Sequence, residues 1–389
     1  MVTTLPSADW TRRADLAALI AALGAGNARY VGGAVRDTLL GIPVKDVDIA
    51  TPLEPQAVMK LLKDAGIQAI PTGIEHGTIT AVLPQGPVEI TTLRHDVSTD
   101  GRRATVAFAS DWQDDAARRD FTINALYADP ASGEIFDWFG GLDDLAARRV
   151  RFIGDPHQRI REDHLRILRY FRFQARFGST PADTASESAC AELAATLKGL
   201  SRERVGMEMM NLLSLANPAP TVSRMAELGV LEVVLPEADV EALTALTVQE
   251  TRQEIAPDAL RRLAALLPAD VQLAEAVASR FRLSGAQKKR LALAAARNGT
   301  EAEARPLAYR LGIDAALDRL LIAGTDTSAL KGWVIPQFPL KGGEIVARGI
   351  KAGPDVARVL RQVENGWIAA GFADSVIPAL LDAELREQA

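Results

Sequence analysis

Apolar and polar positions change rhythm part-way along the chain. Through about the first 140 residues, short β-like runs alternate with segments of helical spacing. Asp15 to Leu23 reads as an amphipathic helix, and Arg29 to Val31 as a strand that runs into Gly32-Gly33. A helix is predicted from Ala34 to Leu40, a strand from Val44 to Ala50 and a helix from Pro55 to Ala65. Ile79 to Leu83 and Val88 to Leu93 read as two strands joined by PQGP. From about Asp155 onward the pattern is helical and rich in Ala, Leu, Arg and Glu. It breaks at ANPAP (216–220), at Pro236, near Asn298-Gly299, at KGG (341–343) and at AGP (352–354). No repeat of fixed period and no low-complexity tract is present. The layout is a small α/β head followed by an all-helical remainder.

Composition narrows the class without changing that layout. At 389 residues the chain is too long for one core and suggests two to four domains. Hydrophobic residues make up 48% and charged residues 24%, as in a soluble globular protein. The single cysteine, Cys190, excludes an intrachain disulfide and a cysteine-based zinc site, and fits a reducing cytoplasm. The opening MVTTLPSADWTRRADL carries no apolar run before its charges, and no stretch is long enough to span a membrane. A cytoplasmic protein with no membrane partner is expected. All four histidines (His76, His95, His157 and His164) precede residue 165, so the rest of the chain holds no histidine base or histidine metal site.

The net charge of −6 argues against a nucleic-acid partner, but charge is segregated here. Arg148 to Arg176 contains nine arginines and three acids. Two readings stay open for this run: a solvated helix face, or a surface suited to planar recognition of bases and phosphates.

Candidate chemistry starts at VKDVDIAT. On a strand, Asp46 and Asp48 point to one face while Val47 and Ile49 enter the core. Two carboxylates so close repel unless a cation lies between them, and a hard, oxygen-preferring ion such as magnesium suits the pair. The alternative is a pair of solvent-facing strand residues. Upstream, YVGGAVRDTLLG places Gly32 and Gly33 between a strand and a helix, where backbone N–H groups can approach a triphosphate. Arg36 on that helix is a further phosphate partner; the alternative for the glycines is a tight turn.

This arrangement resembles the polymerase-β nucleotidyltransferase superfamily. RRDFTINAL (118–126), DWFGGLDDL (137–145), REDHLRILRYFRF (161–173) and SRERVGMEM (201–209) match the later blocks of its class containing the bacterial CCA-adding tRNA nucleotidyltransferases and poly(A) polymerases. The resemblance covers about residues 28–215. LGVLEVVLPE (228–237) and PLKGGEIVARGIKAGP (339–354) continue it toward the CCA-adding branch, as does PTGIEHGTIT (71–80). It implies an α+β protein: a polymerase-β-like catalytic head at 1–149, a helical neck for base selection at 150–218, a helical body at 219–300 and a helical, tRNA-contacting tail at 301–389. The implied activity is template-independent addition of C, C and A to the 3′ end of tRNA from CTP and ATP. Poly(A) synthesis, CC-only or A-only addition, and a catalytically dead RNA-binding scaffold stay open. No DNA partner is implied, and oligomeric state is left open.

Residue by residue, the resemblance implies that Asp46 and Asp48 hold two magnesium ions. Glu89, on VEITTLR, is a candidate third carboxylate or an ordinary strand residue. Arg119 would contact the triphosphate or ribose; Asp120 has a plain structural reading from its place in the sequence, the cap of a helix running through Thr122 to Leu126. Gly140-Gly141 would be a hinge. Asp163 and Arg166, three apart, are expected on one helix face, either as a structural ion pair or as a reader of base edges. An acceptor beside a donor complements cytosine and adenine, whereas guanine and uracil show the reverse order. Arg169 and Arg172 continue the stripe toward support of the site or toward phosphates, and Glu203, Arg204 and Glu208 brace it. Read from its own residues, the segment from His95 to Asp111, polar at its start and carrying Gly101, is expected to be a mobile loop that either reshapes the pocket before the last addition or is solvent-exposed with no role.

Overall fold

The leucines near the N-terminus recur at helical spacing, and the helix they make buries them. In the computed structural model, which describes residues 4–100, 103–108, 111–298 and 303–386 (95–108 as backbone only), α1 (Ala14–Leu23) buries Leu16, Leu19 and Leu23. It is followed by β1 (Arg29–Val31), α2 (Gly33–Leu39), β2 (Val47–Thr51) and α3 (Pro55–Asp64). Next come β3 (Gln68–Gly73), β4 (Thr78–Leu83) and β5 (Gly86–Thr92), with α3 packed on β3 and β4. A hairpin of β6 (Arg94–Asp100) and β7 (Arg103–Phe108) leads to α4 (Trp112–Ala117). The short strands β8 (Tyr127–Ala128) and β9 (Ile135–Phe136) and helix α5 (Gly141–Ala146) complete the α/β part.

Seven strands form one mixed sheet in the order β3-β4-β5-β2-β1-β8-β9. Only β2 and β5 run parallel, and their register sets Asp48 opposite Glu89. Glu89 lies opposite Thr80 on β4, and Thr80 opposite Ile70 on β3. These four therefore form one row on one face of the sheet. The neighbouring residues Ile49, Ile90 and Ile79 point the other way and are buried, which fixes the register.

Several expected boundaries move, each for a local reason. Strand β2 starts at Val47 rather than Val44, so Asp46 precedes it. Strand β3 escaped the sequence pattern because QAIPTG has no clean alternation and carries Pro71; it is an edge strand with an irregular register between Ile70 and Gly73. His95 to Asp111, expected as a loop, is an antiparallel hairpin in its described part; Gly101, Arg102, Ala109 and Ser110 lie outside the described residues. The expected helix from Thr122 to Leu126 is a single 3-10 turn, Thr122–Asn124. Phe121 to Ala128 is buried throughout, so no solvent-facing side exists for a longer helix, and Tyr127 pairs with β1 instead.

The helical pattern after Asp155 holds. Asp155 accepts from the His157 backbone N–H and starts α6 (Pro156–Glu162). Helices α7 (Arg166–Phe177), α8 (Thr184–Glu192), α9 (Arg202–Leu213), α10 (Ala219–Glu227) and α11 (Val230–Val234) follow, with α7 packed on α9 and α10. The expected break at Pro236 is the end of the first of two compact units, Met1–Pro236 and Glu237–Ala389. The expected head and neck both fall inside the first unit, and the expected body (219–300) straddles the boundary. The second unit is helical from Val240–Arg252 to Ile377–Arg386. Within it, buried Glu250 accepts from Arg261 and Arg262, both at 2.8 Å, and Asp318 takes Arg261 and Arg290.

The expected hinge glycines serve close packing. Gly140 adopts a left-handed conformation (φ 75°), and Asp137 accepts from the N–H groups of Gly141 and Leu142, both at 2.9 Å. A Cβ on Gly141 would stand 2.3 Å from the Thr122 carbonyl oxygen, so only glycine lets α5 dock on the Thr122 turn. Gly141→Ala should therefore lower stability by roughly 2–3 kcal/mol, read as a drop in the midpoint of denaturant unfolding of the first unit's signal. An unchanged midpoint would show that the turn can yield.

Candidate active site

Strand β1 is followed by Gly32, whose φ of +66° sends the chain from the sheet into α2. A Cβ there would come within 3.3 Å of Arg119 Nη1, so the missing side chain admits the guanidinium to the turn. Arg119 is held from behind: its Nε donates to the Tyr127 hydroxyl at 3.0 Å and its Nη2 to Asp115 at 3.2 Å. Asp115 is buried and also takes Arg118 at 2.7 Å. Burial alone would raise its pKa, but Arg119 and Arg118 hold it below the usual carboxylate range.

A cleft of about 560 Å³ opens beside this turn. It brings together Gly32, Gly33, Arg36, Asp48 and Arg119 from the α/β part with Asp163, Arg166 and Arg169 from the helices. Asp46, Glu89 and Arg172 are not among its lining residues. Asp46 is exposed just before β2, and Glu89 is exposed opposite Asp48. The carboxyl of Asp48 is half-buried, and its pKa is pushed up to about 6 by burial and by the charges of Glu89 and Asp46, against the pull of Arg119. Among the described residues no three His, Cys, Asp or Glu side chains form a ready-made metal cage. The donor set still suits a hard divalent cation. Magnesium keeps waters and takes one or two carboxylates together with substrate phosphates.

Asp120 does not cap a helix. Its Oδ1 accepts from the Phe121 N–H and the Asn124 amide, each at 2.9 Å, and its Oδ2 accepts from Arg169 Nε at 2.8 Å. Asn124 in turn accepts from Arg36, whose Nε donates to Asp37 at 2.8 Å and whose guanidinium lies 4.2 Å from the Phe177 ring centroid.

Asp163 and Arg166 do not share a helix face; the Arg166 N–H donates to the Asp163 carbonyl at 3.0 Å, but their side chains take other partners. The Asp163 side chain accepts from the Leu165 N–H at 3.1 Å, a local turn that ends α6 at Glu162 and lets α7 start afresh at Arg166. Arg204 donates to Asp163 Oδ2 at 2.6 Å. Arg166 donates to Glu162 at 2.6 Å and to the carbonyls of Arg159 (2.9 Å) and Arg118 (3.2 Å). An acceptor and a donor, each fixed by its own partner, thus face one cleft. Arg172 sits behind it, bonded to Glu208 at 2.6 Å. The brace expected of Arg204 and Glu208 is present, and both also line the cleft. Arg118, Asn124 and Met207 line it too; helical spacing of Arg204, Met207 and Glu208 was the available signal for the last.

The basic run is not a free basic surface. Arg149 and Arg151 pair with Asp144, Arg159 and Arg166 with Glu162, Arg169 with Asp120, Arg172 with Glu208, and Arg176 with Asp37. Most of these acids lie outside the run, which is why its local count misled.

Residues 28–151 match the family model described as Poly A polymerase head domain, and residues 183–241 that described as Probable RNA and SrmB- binding site of polymerase A. The Mus musculus protein named CCA tRNA nucleotidyltransferase 1, mitochondrial, is 35% identical over 364 residues, covering 88% of this chain and 83% of the mouse protein. The chain belongs to the CCA-adding tRNA nucleotidyltransferases. A CCA-adding enzyme of Latilactobacillus sakei is 37% identical to this family member over 235 residues, 59% of this chain and 58% of that protein. The crystal structure of the Bacillus stearothermophilus CCA-adding enzyme in complex with CTP superposes with a TM-score of 0.72 at 26% identity, covering 96% of this chain and 98% of that one. The expected α+β fold class is borne out, and membership implies use of a divalent metal.

The raised pKa of Asp48 has a thermodynamic signature in this CCA-adding family member. A carboxyl that holds its proton more tightly folded than unfolded lowers stability as pH rises from about 4 to about 6, and the full penalty is present above that window. In metal-free buffer, Asp48→Asn should therefore raise stability at pH 8 by about 1–2 kcal/mol and change it little at pH 4. Paired melting curves at the two pH values check this, and a destabilised variant at pH 8 would contradict it.

Proposed function

We propose that this chain adds C, C and A to the 3′ end of tRNA, one nucleotide at a time and without a template, from CTP and ATP with magnesium. The carrying observation is the cleft that joins Asp48 and the Gly32 turn to Asp163 and Arg166. The mouse relative's name and the CTP-bound neighbour support the same reading. The α/β part at 1–149 serves as head, 150–218 as neck, 219–300 as body and 301–389 as the tail that contacts tRNA. Among the described residues no helix is long and apolar enough to cross a membrane. The likeness to a bacterial CCA-adding enzyme supports a place in the cytoplasm.

The chemistry divides by position. Asp46 and Asp48 would hold two magnesium ions, with Glu89 the third carboxylate through its register opposite Asp48. When bound, one ion would lower the pKa of the RNA 3′-hydroxyl and the other would neutralise charge on the departing pyrophosphate. The bare Gly32-Gly33 turn leaves room for phosphate oxygens, and Arg36 and Arg119 supply positive charge beside it. Asp163 accepts from the amino group of cytosine or adenine, and Arg166 donates to the adjacent ring nitrogen. Guanine or uracil would set donor against donor and leave desolvated groups unpaired. Arg169, through Asp120, and Arg172, through Glu208, keep α7 in place. The β6–β7 hairpin is our candidate for the element that reshapes the pocket between C and A.

One assay separates the readings: tRNA lacking its 3′ end, labelled CTP and ATP, and magnesium. Addition should stop after C, C and A; an unending A tail would mean poly(A) synthesis, and no product a silent scaffold. Asp48→Ala should lower incorporation by at least about a thousandfold while leaving tRNA binding intact. Appreciable incorporation by that variant would overturn the metal assignment.

Base choice is tested separately. Arg166→Met should erode discrimination against UTP and GTP by about ten- to a hundredfold, measured as ratios of kcat/KM. A uniform slowing of all four nucleotides would mean that Arg166 only holds α6 and α7 together.

A further inference from the structure

Helix α9 turns one apolar side chain away from the core and into the cleft. Its Val205, Gly206, Met209, Leu212 and Leu213 are buried. Met207 is 52% exposed, yet it lines the cleft with Arg204 and Glu208 of the same helix. The other apolar lining residues, Leu165 and Phe173, are buried and belong to the packing around α7. Core packing therefore gives no account of Met207.

Its place does. Arg204, three residues earlier and so on the same face of α9, anchors Asp163 at 2.6 Å. On the reading of Asp163 and Arg166 as edge readers, a base whose edge meets Asp163 lies in the same cleft as Met207, within which a flat face can rest on that side chain. We propose that Met207 is the platform against which the face of the incoming nucleobase rests. Hydrogen bonds to Asp163 and Arg166 read the edge, and Met207 contributes contact without reading anything, because every base has a π-face. An unbranched, polarisable thioether with three rotatable bonds can follow a pyrimidine and then a purine, which a rigid ring would do less readily. The task of one site serving both C and A thus has a side chain suited to it.

Met207→Ala, Met207→Gln and Met207→Leu test the proposal in the full chain, with tRNA ending before the first C or before the final A. An exposed side chain leaves folding intact, and unchanged melting temperatures verify that. The Ala and Gln variants should raise KM for CTP and ATP by about five- to tenfold, with the rise for ATP at least as large because a purine has more face to lose. The KM for tRNA, kcat and discrimination against UTP and GTP should stay near wild type, and Leu should restore the nucleotide KM. Unchanged nucleotide KM in the Ala variant would overturn the platform. So would a rise confined to the KM for tRNA, which would assign Met207 to the RNA's terminal base, and so would a Gln variant equal to wild type. The edge-reading assignment fails independently: if Arg166→Met slows all nucleotides alike while Met207→Ala still raises nucleotide KM, the platform stands alone.

Discussion

One buried carboxylate, that of Asp120, determines where the parts of the cleft meet. It gathers the Phe121 N–H, the Asn124 amide and the Arg169 guanidinium, and so ties the turn after α4 to helix α7. Asn124 passes the constraint on to Arg36 of α2, and the carbonyl of Arg118 receives Arg166. Burial alone would push the Asp120 carboxyl toward its neutral form, but Arg169 above all keeps its pKa below the ordinary range. Leaving such a charge without its partner is strongly destabilising, on the order of 3–5 kcal/mol. The Gly32 turn and helix α7 are therefore held in one geometry before any nucleotide arrives, the preorganisation that the proposed template-free selection would need.

The sheet supplies the other half of that geometry. The one parallel pairing, β2 with β5, puts Asp48 and Glu89 side by side, and the antiparallel strands beyond extend the same row to Thr80 and Ile70. Asp48 carries the strain of this arrangement in its raised pKa. A site that disfavours its own negative charge when empty is one that gains from a divalent cation when filled. Fold stability and the proposed metal site thus rest on the same two strands.

Much of this was legible in the chain. The alternation from Val47 through Asp48, the Gly32-Gly33 turn and the helical remainder all rest on local pattern, and that pattern survives folding, although the strand begins only after Asp46. What escaped depends on competing partners, some two residues away and some far along the sequence. Asp163 and Arg166 have the spacing of neighbours on one helix, but the Asp163 side chain prefers the Leu165 N–H and breaks the helix between them. The arginine run looked like a free basic face because Asp37, Asp120, Asp144 and Glu208, which neutralise it, lie outside the run. Thr122 to Leu126 has helical spacing, yet it threads a core that leaves it no wet side. Strand β3 and the β6–β7 hairpin lack the alternation that marks a half-buried strand.

The paired arginines also bear on how such a cleft can change over generations. Asp163 with Arg204, Arg166 with Glu162 and Arg169 with Asp120 are couples in which each member exists partly to satisfy the other. Substitutions at touching charges are not additive. A lineage that altered one member would first pass through an orphaned charge, so gradual drift at these positions is obstructed at every step. If these couples read the bases as proposed, new specificity in this architecture has to arrive by exchanging whole couples, which makes the choice of bases hereditary in a mechanical sense.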